Sequence, residues 1–145
     1  MNELSFNNIK NVFNIEDKDI KTISPLVFAY VGDSVYDLII KSILVARGNI
    51  PVNNLHKKAS SLVKAEAQVR MYNAVKDILD EDEQSVLRRG RNAKSYTTAK
   101  NATKIDYRMA TGYEALIGYL YMEDKIERIY QLVSVGLKEV EEDGR

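Results

Sequence analysis

The stretch "SPLVFAYVGDSVYDLIIKSILVARG", residues 24–48, decides the fold. Ser24 followed by Pro25 is a strong helix start, because a serine hydroxyl caps free amides and a proline at the first helical position loses no hydrogen bond. Gly32 is the only helix breaker before Gly48, which is a natural stop. At about 1.5 Å per residue this helix spans roughly 33 Å, the diameter of a small domain. We therefore expect it to be the central helix.

The rest of the chain also shows helical spacing of its apolar residues, and no segment alternates for long with the period of two that a strand needs. The helical spacing predicts an all-α fold. A length of 145 residues fits a single domain. The sequence has no cysteine, so the cytosol is the default compartment. No stretch approaches the length of a membrane span. Besides residues 24–48, we predict short helices within residues 1–23, helices over 53–79, 80–89 (ended by Gly90), 106–122 and 124–140 (capped by Asp124), and a loop over 92–105.

Two carboxylates stand on small, apolar helix faces. Asp33 has no Lys or Arg at helical spacing, and Glu114, in "ATGYEALIGYLY" at residues 110–121, has none either. Burying such an acid is costly unless a proton, a tertiary cation or a metal ion neutralises it. Asp37 differs, because Lys41 lies four residues on and predicts an ordinary surface pair.

Glycines next to these acids predict how the two helices meet. A glycine inside a helix costs about 1 kcal/mol relative to alanine, and a close helix crossing is one reason to keep it. If the helices cross at Gly32 and Gly118, the two acids converge, and paired carboxylates with water are ligands that Mg²⁺ accepts. The alternative, in which each acid caps a helix or pairs with a distant arginine, is equally compatible with the residues alone.

Positive charge is concentrated in one region although the totals balance, with 21 Lys and Arg against 21 Asp and Glu. No acidic residue lies between Gln84 and Ile105. A run of this kind, joined to a loop rich in Ser, Thr and Asn, favours contact with RNA phosphates over a merely solvated face. Its cations are Arg88, Arg89, Arg91, Lys94, Lys100 and Lys104.

Several motifs resemble one known family. "FAYVGDSVYDLII" resembles the signature helix of ribonuclease III, "YEALIGYLYMED" its second acidic motif, and "NNLHKKASSLVKAEAQ" its middle helix. The longer stretch "RRGRNAKSYTTAKNATKIDYRMATGYEALIGYLY" resembles Mini-III, the small bacterial branch that lacks a double-stranded-RNA-binding domain. The similarity covers about residues 24–123, within a nuclease domain expected to span the chain.

The resemblance implies a helical ribonuclease III-type domain that forms a two-fold homodimer and cleaves double-stranded RNA with Mg²⁺, for which Mn²⁺ can substitute. It implies maturation of 23S ribosomal RNA precursors, 5′-phosphate and 3′-hydroxyl product ends, and a ribosomal protein as a candidate assisting partner. At the matching motif positions, the resemblance assigns catalysis and metal binding to Asp33 and Glu114. The resemblance also implies that the signature helix forms the dimer interface. The residues expected there are Phe28, Val31, Val35 and Tyr36.

Two positions depart from full-length ribonuclease III. Ala29 stands where that family has a glutamate and Thr111 where it has an aspartate, and Mini-III shares both losses. They leave open how many metals bind, and they leave two other hypotheses open: a dimeric RNA-binding protein without catalysis, and a helical nucleotide phosphohydrolase. The only histidine, His56, is expected to pack at a helix start rather than contact RNA.

Overall fold

The structure, a computed structural model, describes residues 3–93 and 103–143. Every regular element in these two ranges is helical, which confirms the all-α prediction. None of the described helices is long and apolar enough to cross a membrane. A single 3-10 turn, Ile20–Thr22, precedes the second helix. The α-helices of the described ranges are α1 (Phe6–Val12), α2 (Pro25–Arg47), α3 (Val52–Val63), α4 (Ala65–Val75), α5 (Glu81–Asn92), α6 (Lys104–Met122) and α7 (Ile126–Asp143).

The predicted ends of α2 are confirmed. The Ser24 hydroxyl accepts a hydrogen bond from the Leu26 amide at 3.1 Å, Pro25 is the first helical residue, and Gly48 follows the last. The central helix, however, is α6 rather than α2. It is buried along most of its length and packs against α1, α2, α4, α5 and α7. The prediction that α2 occupies the centre was wrong because α2 keeps one apolar face on the surface.

The helix predicted over residues 53–79 is two helices. Lys64 lies between them in an extended conformation, with φ −65° and ψ 159°. The turn redirects the chain so that α4 packs against both α6 and α7, where it buries Met71 and Val75. No glycine or proline marks the break, and the apolar spacing continues across it, so the sequence pattern predicted one helix.

Two other helix ends differ from the prediction. Helix α5 continues through Gly90, because this glycine is a packing position against α6 and not a stop. Asp124 does not begin α7; it adopts a left-handed backbone with φ 60°. The Lys125 amide donates to the Leu120 carbonyl at 2.8 Å and closes the end of α6.

Buried polar contacts fix neighbouring helices. Glu83 is 2% exposed, and its carboxylate accepts a hydrogen bond from Arg128 of α7 at 2.8 Å and from the Asp80 amide at 2.9 Å. The Tyr36 hydroxyl donates to the Leu62 carbonyl at 2.8 Å, which joins α2 to α3. These contacts link α5 to α7 and α2 to α3.

Candidate active site

Helices α2 and α6 cross with their backbones in contact. A Cβ built on Gly32 would lie 1.8 Å from the Glu114 carbonyl oxygen, and one built on Gly118 would lie 1.8 Å from the Phe28 carbonyl oxygen. Real side chains do not approach this closely, so neither position accepts anything larger than glycine without moving a helix. The predicted crossing at Gly32 and Gly118 is confirmed.

The crossing brings Asp33 and Glu114 together. Their carboxyl groups hydrogen bond to each other. Asp33 is exposed, whereas Glu114 is partly buried. Among the residues that the structure describes, neither acid forms an ion pair with a Lys or Arg. The alternative of a distant guanidinium on each acid is therefore not found in the described part of the chain.

The environment keeps Glu114 protonated. Its pKa is raised from 4.5 to about 9, first because burial penalises the charged form and second because Asp33 hydrogen bonds to it and repels its charge. A hydrogen bond from Gln68 acts in the opposite direction and favours the ionised form. At neutral pH the Glu114 carboxyl therefore retains its proton.

This pair has the chemistry of a divalent cation site. A cation that displaces the Glu114 proton would find two carboxylates side by side, and hard cations such as Mg²⁺ and Mn²⁺ prefer oxygen donors. Within residues 3–93 and 103–143, no third Asp, Glu or His completes a cluster. Mg²⁺ needs few protein ligands, because bound waters and phosphate oxygens of the substrate complete its coordination. The donors present fit such an ion.

The two positions that lack an acid add no ligand. Ala29 is 8% exposed and has no polar side-chain atom, and Thr111 is 7% exposed. The Thr111 hydroxyl donates to the Tyr107 carbonyl of its own helix at 2.9 Å. It is thereby committed to the backbone of α6 and does not replace a carboxylate.

One polar residue of the site was missed from the sequence. Gln68 of α4 is 2% exposed, and its amide hydrogen bonds to the Glu114 carboxyl. A signal was present, because Gln68 lies one helical turn before Met71 and Tyr72, both of which are buried. A long polar side chain on an apolar helix face requires a buried partner.

A basic surface lies on the elements next to the acids. A Cβ on Gly90 would lie 2.7 Å from the Ala115 Cβ and 3.0 Å from the Gly112 Cα, so the end of α5 is pressed against the turn of α6 that carries Glu114. Four of the predicted RNA-binding cations are exposed and form no ion pair with a described carboxylate. These four are Arg88, Arg89, Arg91 and Lys104, while Lys94 and Lys100 lie outside the described residues.

The predicted interface residues fall into two groups. Phe28 and Tyr36 are 1% and 0% exposed within the subunit, which leaves no side-chain surface for a partner and corrects the expectation for these two. They point into the core because α2 is apolar on more than one face. Val31 and Val35 are partly exposed. On the exposed side, Val27, Leu38 and Val45 are 48%, 52% and 62% exposed.

Two other predictions concern residues away from the acids. Lys41 pairs with Asp37 at 2.9 Å, as the spacing predicts. His56 is exposed on α3 and borders a shallow apolar hollow with Val45 and Val52. The expected packing role of His56 stays a prediction.

Comparison with known proteins agrees with this geometry. The Ribonuclease III domain family matches residues 26–125. Mini-ribonuclease 3 of Thermoanaerobacter sp. (strain X514) is 42% identical over 134 residues, which cover 92% of this chain and 94% of the relative. Mini-ribonuclease 3 of Brevibacillus brevis is 45% identical over 124 residues, which cover 86% and 92%. The crystal structure of protein FN1578 from Fusobacterium nucleatum superposes with a TM-score of 0.77 at 30% identity, covering 84% of this chain and 99% of that one.

The match over residues 26–125 and the shared helical fold are those of a ribonuclease III domain, and the chain belongs to this family. Its identity to full-length relatives places it in the Mini-ribonuclease 3 branch. The protein is an endoribonuclease.

Proposed function

We propose that this endoribonuclease cleaves double-stranded RNA with a divalent cation held by Asp33 and Glu114. The observation that carries the proposal is the pair of carboxyl groups that hydrogen bond to each other where α2 and α6 cross. Like-charged acids are brought together at a cost, and a cation of opposite charge turns that repulsion into attraction. Mg²⁺ is the expected ion, and Mn²⁺ offers the same oxygen preference.

The residues divide the chemistry between them. When bound, the divalent cation supplies water activation and charge neutralisation at the phosphoryl group. Glu114 releases its proton when the site is loaded, and Asp33 provides the solvent-facing oxygens next to the incoming phosphate. Hydrolysis in which the 3′ oxygen leaves gives 5′-phosphate and 3′-hydroxyl ends. No nucleophilic side chain is required.

The basic surface supplies binding. The exposed arginines of α5 stand beside the turn of α6 that carries Glu114, so a duplex that contacts them by its phosphates passes the acids. A-form RNA is recognised by its shape, its phosphates and its 2′-hydroxyls. Clustered cations without neighbouring acids are suited to that task. The natural substrate we propose is a 23S ribosomal RNA precursor.

A two-fold homodimer completes the proposed enzyme. Val27, Val31, Leu38 and Val45 are spaced by four, seven and seven residues, which places them along one side of α2. Three of them are about half exposed or more. A long apolar stripe on one helix is typical of a protein interface. Symmetry would then give each RNA strand its own pair of acids.

Cleavage of a long RNA duplex tests the assignment of the acids. Asp33→Asn and Glu114→Gln are each expected to reduce Mg²⁺-dependent cleavage by at least about a hundredfold while duplex binding remains. Asp37→Asn is the matched control, since it removes another acid of the same helix, one that pairs with Lys41. Full activity of Asp33→Asn would contradict the proposal. Binding without cleavage by the unmodified protein at any divalent cation would favour a non-catalytic RNA-binding protein.

Salt titration tests the basic surface. Replacing Arg88, Arg89 and Arg91 by alanine is expected to weaken duplex binding and to reduce the slope of log affinity against log salt by up to about three. Lys138→Ala, an exposed cation of α7, is the control and should leave the slope unchanged. An unaltered slope in the triple variant would remove α5 from the RNA surface.

Sedimentation tests the interface. Leu38→Asp places a charge in the middle of the stripe and is expected to convert a dimer into a monomer, because an unpaired charge is costly to bury. Ile78→Asp, at a 44% exposed apolar position outside α2, should leave the dimer intact. A Leu38→Asp variant that remains dimeric would place the interface elsewhere. Mapping the ends of ribosomal RNA precursors that accumulate without the protein tests the substrate.

A further inference from the structure

The acid pair has a third polar partner that lies on a different helix. Gln68 projects from α4, while Asp33 and Glu114 belong to α2 and α6. Its side chain is almost completely buried, at 2% exposure, and its amide hydrogen bonds to the Glu114 carboxyl. Gln68 thus brings a polar side chain of α4 to the acid pair.

Burial of this amide needs an explanation beyond packing. The neighbouring inward positions of α4 are Met71, Tyr72 and Val75, and a methionine or leucine at position 68 would continue their apolar face. An amide in such surroundings is unfavourable unless its hydrogen bonds are satisfied. The partner it finds is one of the two acids on which the proposed chemistry depends.

The chemistry of an amide suits this place better than the alternatives. An ionised carboxylate only accepts hydrogen bonds, so an N–H donor beside Glu114 holds the ionised group. A lysine or arginine there would neutralise the carboxylate and compete with a cation. A glutamate would add a further charge to a pair that already repels. The neutral amide can orient the Glu114 carboxylate without adding a charge to the site.

We propose that Gln68 is a positioning residue that holds the Glu114 carboxylate in the orientation required for a divalent cation. This inference rests on the proposed function. The hydrogen bond restricts the rotamers of Glu114 before the cation arrives, so less conformational entropy is lost on binding. It also gives the site an outer contact from a third helix, whereas Ala29 has no polar side-chain atom and the Thr111 hydroxyl donates to the Tyr107 carbonyl.

Binding of Mn²⁺ alone, measured by electron paramagnetic resonance on the RNA-free full-length protein, tests the inference. Gln68→Met keeps the length of the side chain and removes its hydrogen bonds, and we expect it to weaken Mn²⁺ binding by about ten- to a hundredfold. The Mg²⁺ concentration for half-maximal cleavage should rise by the same factor, with most of the rate recovered at saturating Mg²⁺. A purely structural role would not raise the Mg²⁺ requirement while leaving most of the rate at saturating Mg²⁺ unchanged.

Further variants keep the test decisive. Gln68→Asn retains an amide that is one methylene too short, so it is expected to lose Mn²⁺ affinity as well, while its amide keeps the position polar. Met71→Leu, a fully buried change on the same helix, is the packing control and should bind Mn²⁺ normally. Mn²⁺ affinity that is unchanged in both folded Gln68 variants would overturn the inference.

Mn²⁺ binding by Asp33→Asn and Glu114→Gln distinguishes a failure of the inference about Gln68 from a failure of the proposed function. If both acid variants lose Mn²⁺ and the Gln68 variants retain it, the inference fails while the proposed function stands. If the acid variants also retain Mn²⁺, the proposed function itself fails.

Discussion

Glu114→Gln makes a sharp prediction in the metal-free protein, held in excess chelator. The folded protein keeps a proton on Glu114 until the pH reaches its pKa of about 9, whereas the unfolded chain releases it near 4.5. Between these values the folded state binds more protons than the unfolded state, so the free energy of unfolding falls as the pH rises. Glutamine mimics the protonated acid and abolishes this dependence.

The size of the effect follows from the two pKa values. Each pH unit within the window corresponds to at most about 1.4 kcal/mol. Between about pH 5.5 and about pH 8.5, the free energy of unfolding of the unmodified protein should therefore fall relative to that of the variant by about 1–4 kcal/mol. The upper figure corresponds to a window of roughly three pH units. The lower figure allows for the part of Glu114 that water reaches. A chain of this size would show a difference in melting temperature of roughly 3–12 °C.

The assay is urea denaturation of both proteins at the two pH values, followed by circular dichroism. Titrating groups distant from Glu114 are common to the two chains, so they cancel in the difference. Asp37→Asn is the control, since Asp37 pairs with Lys41 on the surface, and its difference from the unmodified protein should not grow with pH. A Glu114→Gln difference that is the same at both pH values would show that Glu114 titrates normally and does not face Asp33 in a buried site.

Two further predictions concern packing and ion pairing. Gly32→Ala is expected to destabilise the fold by at least about 3 kcal/mol in urea denaturation, because its Cβ would lie 1.8 Å from a carbonyl oxygen. Gly48→Ala, whose Cβ would meet no described atom within 4 Å, should be nearly neutral, and equal losses would refute the crossing. Arg128→Ala is expected to cost about 2–4 kcal/mol at neutral pH, because it leaves Glu83 buried without its cation. The hydrogen bond from Arg128 lowers the pKa of Glu83 below its ordinary value of 4.5. The loss of stability in Arg128→Ala should therefore shrink once the pH falls below that value and Glu83 becomes protonated. The control Lys41→Ala, on the surface, should cost under about 0.5 kcal/mol at every pH.

The convergence of the two acids was predictable from the sequence because it depends on local features. Asp33 directly follows Gly32, and Glu114 lies one turn before Gly118. A glycine within a helix indicates where another backbone approaches. Gly32 and Gly118 make that approach on both sides of the crossing. The start of α2 was predictable for the same kind of reason, since Ser24 and Pro25 act within one turn.

Other features depend on contacts that no local pattern encodes. Helix α2 is apolar on more than one face, so periodicity does not say which face meets the core. Phe28 and Tyr36 turned inward, while Leu38 and Val45 remained exposed. Gln68 was missed because its partner lies on another helix, 114 − 68 = 46 positions away in the sequence. Hydrogen-bond partners at such separations become visible only in the folded chain.

Anomalous diffraction from crystals grown with Mn²⁺ tests the central claim most directly. A peak is predicted within roughly 2.0–2.4 Å of carboxylate oxygens from both Asp33 and Glu114, the distance range of hard divalent cations on oxygen ligands. A protein that cleaves RNA under the same conditions with no peak between these two side chains would contradict the account.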